Sequence, residues 1–112
     1  MRSANLLILL LLLGSLWGCS GGLGEVTTEQ VTEQVGQPIT ISGEVVKQAP
    51  FGQGGGYQLA DEEGMVWVMT ERTLPGVGDR VQVTGEVREE MIEVDGQQLR
   101  DIYILESERY EL

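Results

Sequence analysis

The chain has 112 residues, with 18 acidic side chains against 7 basic ones, a formal net charge of −11 and no histidine. That length supports one small domain with one modest core. The acid excess argues against general affinity for nucleic acid, whose phosphates must be neutralised by Lys and Arg, and the absence of histidine removes the commonest general base.

In chain order, Met1-Arg2-Ser3 is a short positive start and Leu6 to Leu13 an unbroken apolar run. A charged start, an apolar stretch of roughly 7–15 residues and a small residue before the cut describe an export signal. A membrane-spanning helix needs roughly 18 or more apolar residues, and this run is shorter. Removing residues 1–18 takes Arg2 with it and leaves 94 residues at −12.

Leu16-Trp17-Gly18-Cys19 resembles the lipobox of bacterial lipoproteins, with Leu three places before the cysteine and a small residue directly before it. Trp17 departs from that pattern, which prefers a small residue there. The resemblance implies that Cys19 becomes the first residue of the mature protein and carries diacylglycerol through a thioether. Cys19 is the only cysteine, so no intrachain disulfide can form. Two acyl chains, at about 0.8 kcal/mol per buried CH₂, hold a protein stably on a membrane. The resemblance therefore places the protein in the bacterial cell envelope, with the membrane as partner through Cys19. Ser20, rather than Asp, fits the periplasmic face of an outer membrane where the cell has one.

Ser20 to Gly24 is a glycine-rich spacer, read as a flexible tether. Thr27 to Val35 is expected to form a short helix, capped by Thr27 or Thr28 and ended by Gly36-Gln37-Pro38. From Ile39 the period becomes two, with Ile39, Ile41 and Val45 alternating against polar residues as a first strand. Ala49 to Gly56 reads as a long, breaker-rich loop. Tyr57 to Ala60 and Met65 to Thr70 read as strands joined by the turn Asp61-Glu62-Glu63-Gly64. Leu74 to Asp79 is a connector. Val81, Val83 and Val87 begin a fourth strand, extended by Met91 to Val94 into a small hairpin with Asp95-Gly96 as a type I′ turn. A fifth strand, Leu99 to Glu108, places Ile102 and Ile104 against Tyr103 and Leu105.

Ile39-Thr-Ile-Ser-Gly-Glu-Val45 echoes Val81-Gln-Val-Thr-Gly-Glu-Val87. A glycine within a strand weakens it unless the strand bends or bulges there, and two strands bending at matched points suit a small closed barrel. Five strands, together with Tyr57-x-Leu59-x-Asp61-x-x-Gly64-x-Val66-x-Val68 and Pro75-x-x-Gly78-Asp79-x-Val81-x-Val83-x-Gly85-x-Val87, resemble the OB-fold. The resemblance is to its tRNA-anticodon-binding-like type and to small periplasmic OB-fold proteins of bacteria, over about Ile39 to Tyr110. The expected fold is all-β, a five-stranded Greek-key barrel over 39–112, preceded by the signal peptide 1–18 and the tether and short N-terminal segment 19–38.

OB-folds bind on the outer face of their second and third strands, between the flanking loops. With Leu59, Val66 and Val68 pointing inward, Met65, Trp67 and Met69 point outward and form a candidate contact patch, to which Tyr57 and Phe51 add aromatic surface. The competing reading is that the N-terminal segment or the loop at Phe51 covers this face. Gly52 to Gly56 lacks the Lys-Ser/Thr and the following helix of a phosphate cradle. The acidic loops match no calcium-loop spacing and read as solvated charge, so no metal or cofactor is expected. No catalytic set emerges, because Ser42, Ser107 and Lys47 stand without activating partners and the carboxylates read as solvated surface.

These readings point to a non-catalytic, membrane-tethered binding or adaptor module contacting a protein or envelope glycan. A single-stranded nucleic-acid binder, with Trp67, Tyr57 and Phe51 stacking bases, is the alternative. Acidic loops and only Lys47, Arg72, Arg80, Arg88, Arg100 and Arg109 as cations weigh against it. A small-ligand or cation-binding stress protein of the periplasm is a third reading. Cys19→Ser is predicted to leave the fold intact and to move the protein from the membrane pellet to the soluble fraction. Continued sedimentation with membranes would contradict lipidation.

Overall fold

Alternation of β-branched and polar residues leaves the chain after Pro38 little choice but extended structure, and the computed structural model shows how that chain coils. Residues 24–112 are described. The signal segment 1–18, Cys19 with its lipobox, and the spacer up to residue 23 lie outside the described residues. The strands are β1 (Glu25–Val26), β2 (Pro38–Phe51), β3 (Gly54–Ala60), β4 (Met65–Thr70), β5 (Arg80–Val94) and β6 (Gln97–Glu111), with a 3-10 helix at Thr28–Gln34.

The sheet runs β1-β2-β3-β4-β6-β5 and closes through a β2–β5 pairing. All neighbours in the ring are antiparallel except β4 and β6, which run parallel. β2 makes the closure by changing partner. Pro38–Glu44 pairs with β5, and Glu44–Phe51 pairs with β3. The ladder with β3 is irregular between Val45 and Lys47, where Val45 N–H instead donates to Asp79 O at 2.8 Å. This is the five-stranded OB barrel expected from the sequence, with β1 added parallel to β2 at its start.

The two echoed glycines sit where strands cross closely. A Cβ on Gly43 would lie 2.5 Å from the carbonyl oxygen of Ala60 and 3.0 Å from Leu59 Cγ. One on Gly85 would collide with the carbonyl of Leu105 and reach Ile104 Cγ2 at 2.8 Å. Gly85 also marks the register shift between β5 and β6. The internal echo thus reflects two places where a barrel of this size has no room for a side chain.

The expected loop from Ala49 to Gly56 is instead a tight hairpin, with only Gly52-Gln53 left between β2 and β3. Gly54, Gly55 and Gly56 pair with Phe51, Pro50 and Ala49 and are buried. A glycine run reads as a breaker by composition. Here the same residues allow backbone-on-backbone packing, and Gly55 adopts φ +135° with Ala49 and Phe51 against it. The other turns match expectation. Asp61 N–H donates to Gly64 O at 3.0 Å, Asp79 N–H donates to Gly76 O at 3.0 Å, and Asp95 and Gly96 both have positive φ.

Glu25–Val26, inside the segment read as tether and short N-terminal element, pairs with β2. The expected helix is present in 3-10 form, its start tied by Thr27 N–H donating to the Gln30 side chain at 3.0 Å. Its Val31 is buried in the core with Ile41, Leu59, Val68, Val83 and Ile104, so this helix plugs one end of the barrel. Asp61 fixes the plug. Its carboxylate accepts from Thr28 N–H at 2.8 Å and Thr28 Oγ1 at 2.7 Å, and from Glu63 and Gly64 N–H. Burial alone would raise the Asp61 pKa, but these four donors outweigh it and hold the carboxyl below its usual range.

At the same end, where Gly36 N–H and Gln37 O pair with Val87, β5 and β6 run past the barrel as a two-stranded arm, exposed on every residue from Arg88 to Asp101.

Candidate binding groove

Side-chain parity decides what lies on the outer face. Leu59, Val66 and Val68 are buried inside, while Met65 and Met69 are exposed and Trp67 is half-buried outside, as the alternation requires. Cross-strand pairing then extends the patch beyond β3 and β4. Trp67 is level with Tyr103 of β6, and Met69 with Leu105. The missing side chain at Gly56 leaves space that Trp67 and Met69 fill, since a Cβ there would meet Met69 Sδ at 3.1 Å and Trp67 Cε3 at 3.3 Å.

These residues form the floor of a groove of about 730 Å³. Ala49, Pro50 and Phe51 at the tip of the β2–β3 hairpin make one wall, and Glu90 and Asp101 at the root of the β5–β6 arm make the other. Beyond Phe51 a second depression of about 480 Å³ shares Phe51, Met69 and Leu105 with the first. Phe51 is 83% exposed and stands beside the floor rather than over it. Met65 is on the same face, 60% exposed, but does not line the groove.

Charge is distributed unevenly around this floor. Glu90 and Asp101 are direct cross-strand partners on the groove side of the arm, and among the described residues no basic one lines the groove. Lys47 and Arg88 stand at the two ends of the outward row Lys47–Gln58–Trp67–Tyr103–Arg88, and Arg88 is paired with Glu86 at 2.9 Å.

Tyr57, grouped with the outer patch on sequence grounds, lies on the other side of the sheet. It is fully buried, level with inward Val68, because it occupies the same parity as Leu59. Its hydroxyl donates to Glu106 Oε1. The Glu106 side chain is only 1% exposed, so this carboxylate is not the solvated surface acid the sequence suggested. Thr70 Oγ1 donates to Glu106 Oε2 at 2.9 Å, and Arg109 Nη1 reaches both carboxylate oxygens at 3.0 and 3.3 Å. The guanidinium also lies 5.6 Å from the Tyr57 ring centroid and donates to Thr73 O at 2.7 Å. Burial, and then the adjacent Glu106 carboxylate, push the Tyr57 phenol well above its ordinary pKa. This cluster joins β3, β4 and β6 from inside, beneath the strands that carry the groove floor. No sequence signal marked it, because Glu106 follows an alternating strand in a run of acids that reads as surface.

No protein-family model matches the sequence, and no curated protein does. Solved structures share its fold. A putative aspartyl-tRNA synthetase from Leishmania major superposes with a TM-score of 0.64 at 13% identity, over 80% of this chain and 21% of the synthetase. The chain thus spans about a fifth of that enzyme's length. The hypothetical protein ygiW from E. coli matches with a TM-score of 0.59 at 17% identity, over 80% of this chain and 90% of ygiW. The mitochondrial single-stranded DNA binding protein Rim1 of S. cerevisiae matches with a TM-score of 0.56 at 13% identity, over 69% and 94%. At such identities the likeness establishes the architecture, and that architecture is the OB-fold.

Breaking the internal cluster has a measurable cost. Glu106→Ala strands the Arg109 charge and leaves the Tyr57 hydroxyl without its acceptor, and should lower unfolding stability by about 3–5 kcal/mol in urea titration. Glu106→Gln, which keeps an acceptor, should lose less. Equal stability of Glu106→Ala and the parent chain would contradict the cluster's role.

Proposed function

We propose that this protein is a lipid-anchored, non-catalytic binding module of the bacterial envelope, whose OB barrel holds a protein or glycan partner in the outer groove over β3, β4 and β6. The observation that carries this reading is the floor of Trp67, Met69, Tyr103 and Leu105, uncovered by any described part of the chain. Aromatic and methionine side chains gathered in a concave, partly desolvated patch are the composition of a contact centre. The lipobox resemblance of Leu16-Trp17-Gly18-Cys19 supports the anchoring part of the reading. A tether on the periplasmic face of an outer membrane raises the local concentration of a modest binder without new contacts.

One observation favours a second reading. Trp67 and Tyr103 stand side by side with Lys47 and Arg88 at the ends of their row, an arrangement on which bases of single-stranded nucleic acid could stack. The fold neighbour Rim1 is a single-stranded DNA binding protein. Against it stand Glu90 and Asp101 in the groove wall and the ion pairs that occupy Arg88, Arg100 and Arg109. Cross-linking and recovery from envelope fractions separates the two readings. Trp67→Ala should reduce partner recovery about tenfold or more, as for a central aromatic anchor, while the domain stays folded. Unchanged recovery would overturn the groove reading, and a low-salt gel shift with single-stranded oligonucleotide would favour the second.

A further inference from the structure

The groove has a pattern as well as a shape. Along the outward face of β6, every second residue reads Leu105, Tyr103, Asp101, Leu99, which is apolar, aromatic, acidic, apolar. Neighbouring strands double each step. Met69 is level with Leu105, Trp67 with Tyr103, Glu90 with Asp101, and Ile92 with Leu99, while on the β5 side of the first two steps Glu86 and Arg88 are paired with each other at 2.9 Å. Ile92 and Leu99 are both exposed on the arm, so the apolar track resumes beyond the acidic step.

The acidic step is the informative one. Two like charges directly opposite on one face of a ladder destabilise it. Neither Glu90 nor Asp101 enters an ion pair among the described residues, whereas the neighbouring Glu86 and Glu89 are each held by an arginine. A cation seated between them would relieve the repulsion. Phosphates would increase it, and a neutral glycan would leave it unchanged. The two connected depressions on either side of Phe51 favour an elongated occupant over a compact one.

We propose that the groove binds an extended, basic peptide segment of a partner protein, with apolar side chains at alternate positions and a Lys or Arg taking its place in that alternation. An extended chain repeats its side chains on one face every ~6.6–6.8 Å, the same step as β6. A segment lying along β6 therefore sets two apolar residues over Met69/Leu105 and Trp67/Tyr103, its cation between Glu90 and Asp101, and a further apolar residue over Ile92/Leu99. The partner is thereby narrowed to a protein rather than a glycan. The inference rests on the groove being the binding site.

The test uses the full chain and four labelled probes: a peptide of sequence Leu-Ser-Phe-Ser-Lys-Ser-Leu, the same peptide with Glu for Lys, an N-acetylglucosamine oligomer and oligothymidylate. The lysine peptide should bind, and the glutamate peptide should bind about tenfold or more weakly, a difference of about 1.4 kcal/mol. The double variant Glu90→Gln, Asp101→Asn should weaken the lysine peptide about fivefold, the scale of a partly exposed charge pair, and bring the two peptides together. Both side chains are exposed and the variant removes their mutual repulsion, so it should melt at or slightly above the parent. Equal binding of the two peptides to the parent chain, or indifference of the lysine peptide to the double variant, overturns the peptide inference. If Trp67→Ala still weakens the bound probe, the groove reading survives that result. Preference for the glycan or the oligonucleotide overturns the inference likewise, and failure of all four probes overturns both.

Discussion

A carboxylate with 1% of its side chain exposed sits inside a barrel built almost entirely of valine, isoleucine and leucine. Taking such a charge out of water costs several kcal/mol unless its lone pairs are filled by well-placed donors. Glu106 receives Tyr57 from β3, Thr70 from β4 and Arg109 from its own strand β6. Each donor comes from a strand whose opposite face belongs to the groove. If the three strands slid relative to one another the charge would lose its partners, so their relative register is fixed from within. The outer floor inherits that rigidity. Trp67, Met69, Tyr103 and Leu105 can remain exposed without collapsing inward because the inward positions between them are already occupied.

The remainder of the fold keeps the ring closed around this cluster. β2 closes it by serving two neighbours in succession, and the crossings are possible because Gly43 and Gly85 present no side chain to the carbonyls of Ala60 and Leu105. The 3-10 helix seals one end with Val31 and is fastened to the β3–β4 turn through Thr28 and Asp61. Beyond Val87, where the segment after this helix pairs with β5, nothing described covers the β5–β6 arm. Its apolar residues Met91, Ile92, Val94 and Leu99 remain in solvent. A two-stranded ribbon without a packed face is marginally stable by itself, so one molecule combines a fixed floor with a loosely held wall.

Features set by local chemistry were legible in the sequence. Alternation placed Val66 and Val68 inside and Trp67 and Met69 outside. Asp61-Glu62-Glu63-Gly64 and Asp95-Gly96 announced their turns, and the repeated glycine announced two strands bending at matched points. Features set by neighbours distant in sequence were not legible. Gly54 to Gly56 look like a loop until Phe51, Pro50 and Ala49 are paired against them. Tyr57 looks like a surface aromatic unless its parity is counted from Leu59. Glu106 looks like one more acid in an acidic tail, because its three donors come from separate strands. Alternation sets Tyr103 opposite in facing to Ile104, yet its place beside Trp67 follows only from the parallel β4–β6 pairing, which no local pattern encodes.

Native-state hydrogen exchange tests the central claim of a groove floor clamped from within and flanked by a loosely held arm. Backbone amides of Tyr57, Val68 and Ile104 should exchange only through global unfolding, while amides between Arg88 and Asp101 exchange through local opening at far lower free energy. Equal protection of arm and floor, or exchange of the floor by local opening while the arm stays protected, would contradict the account.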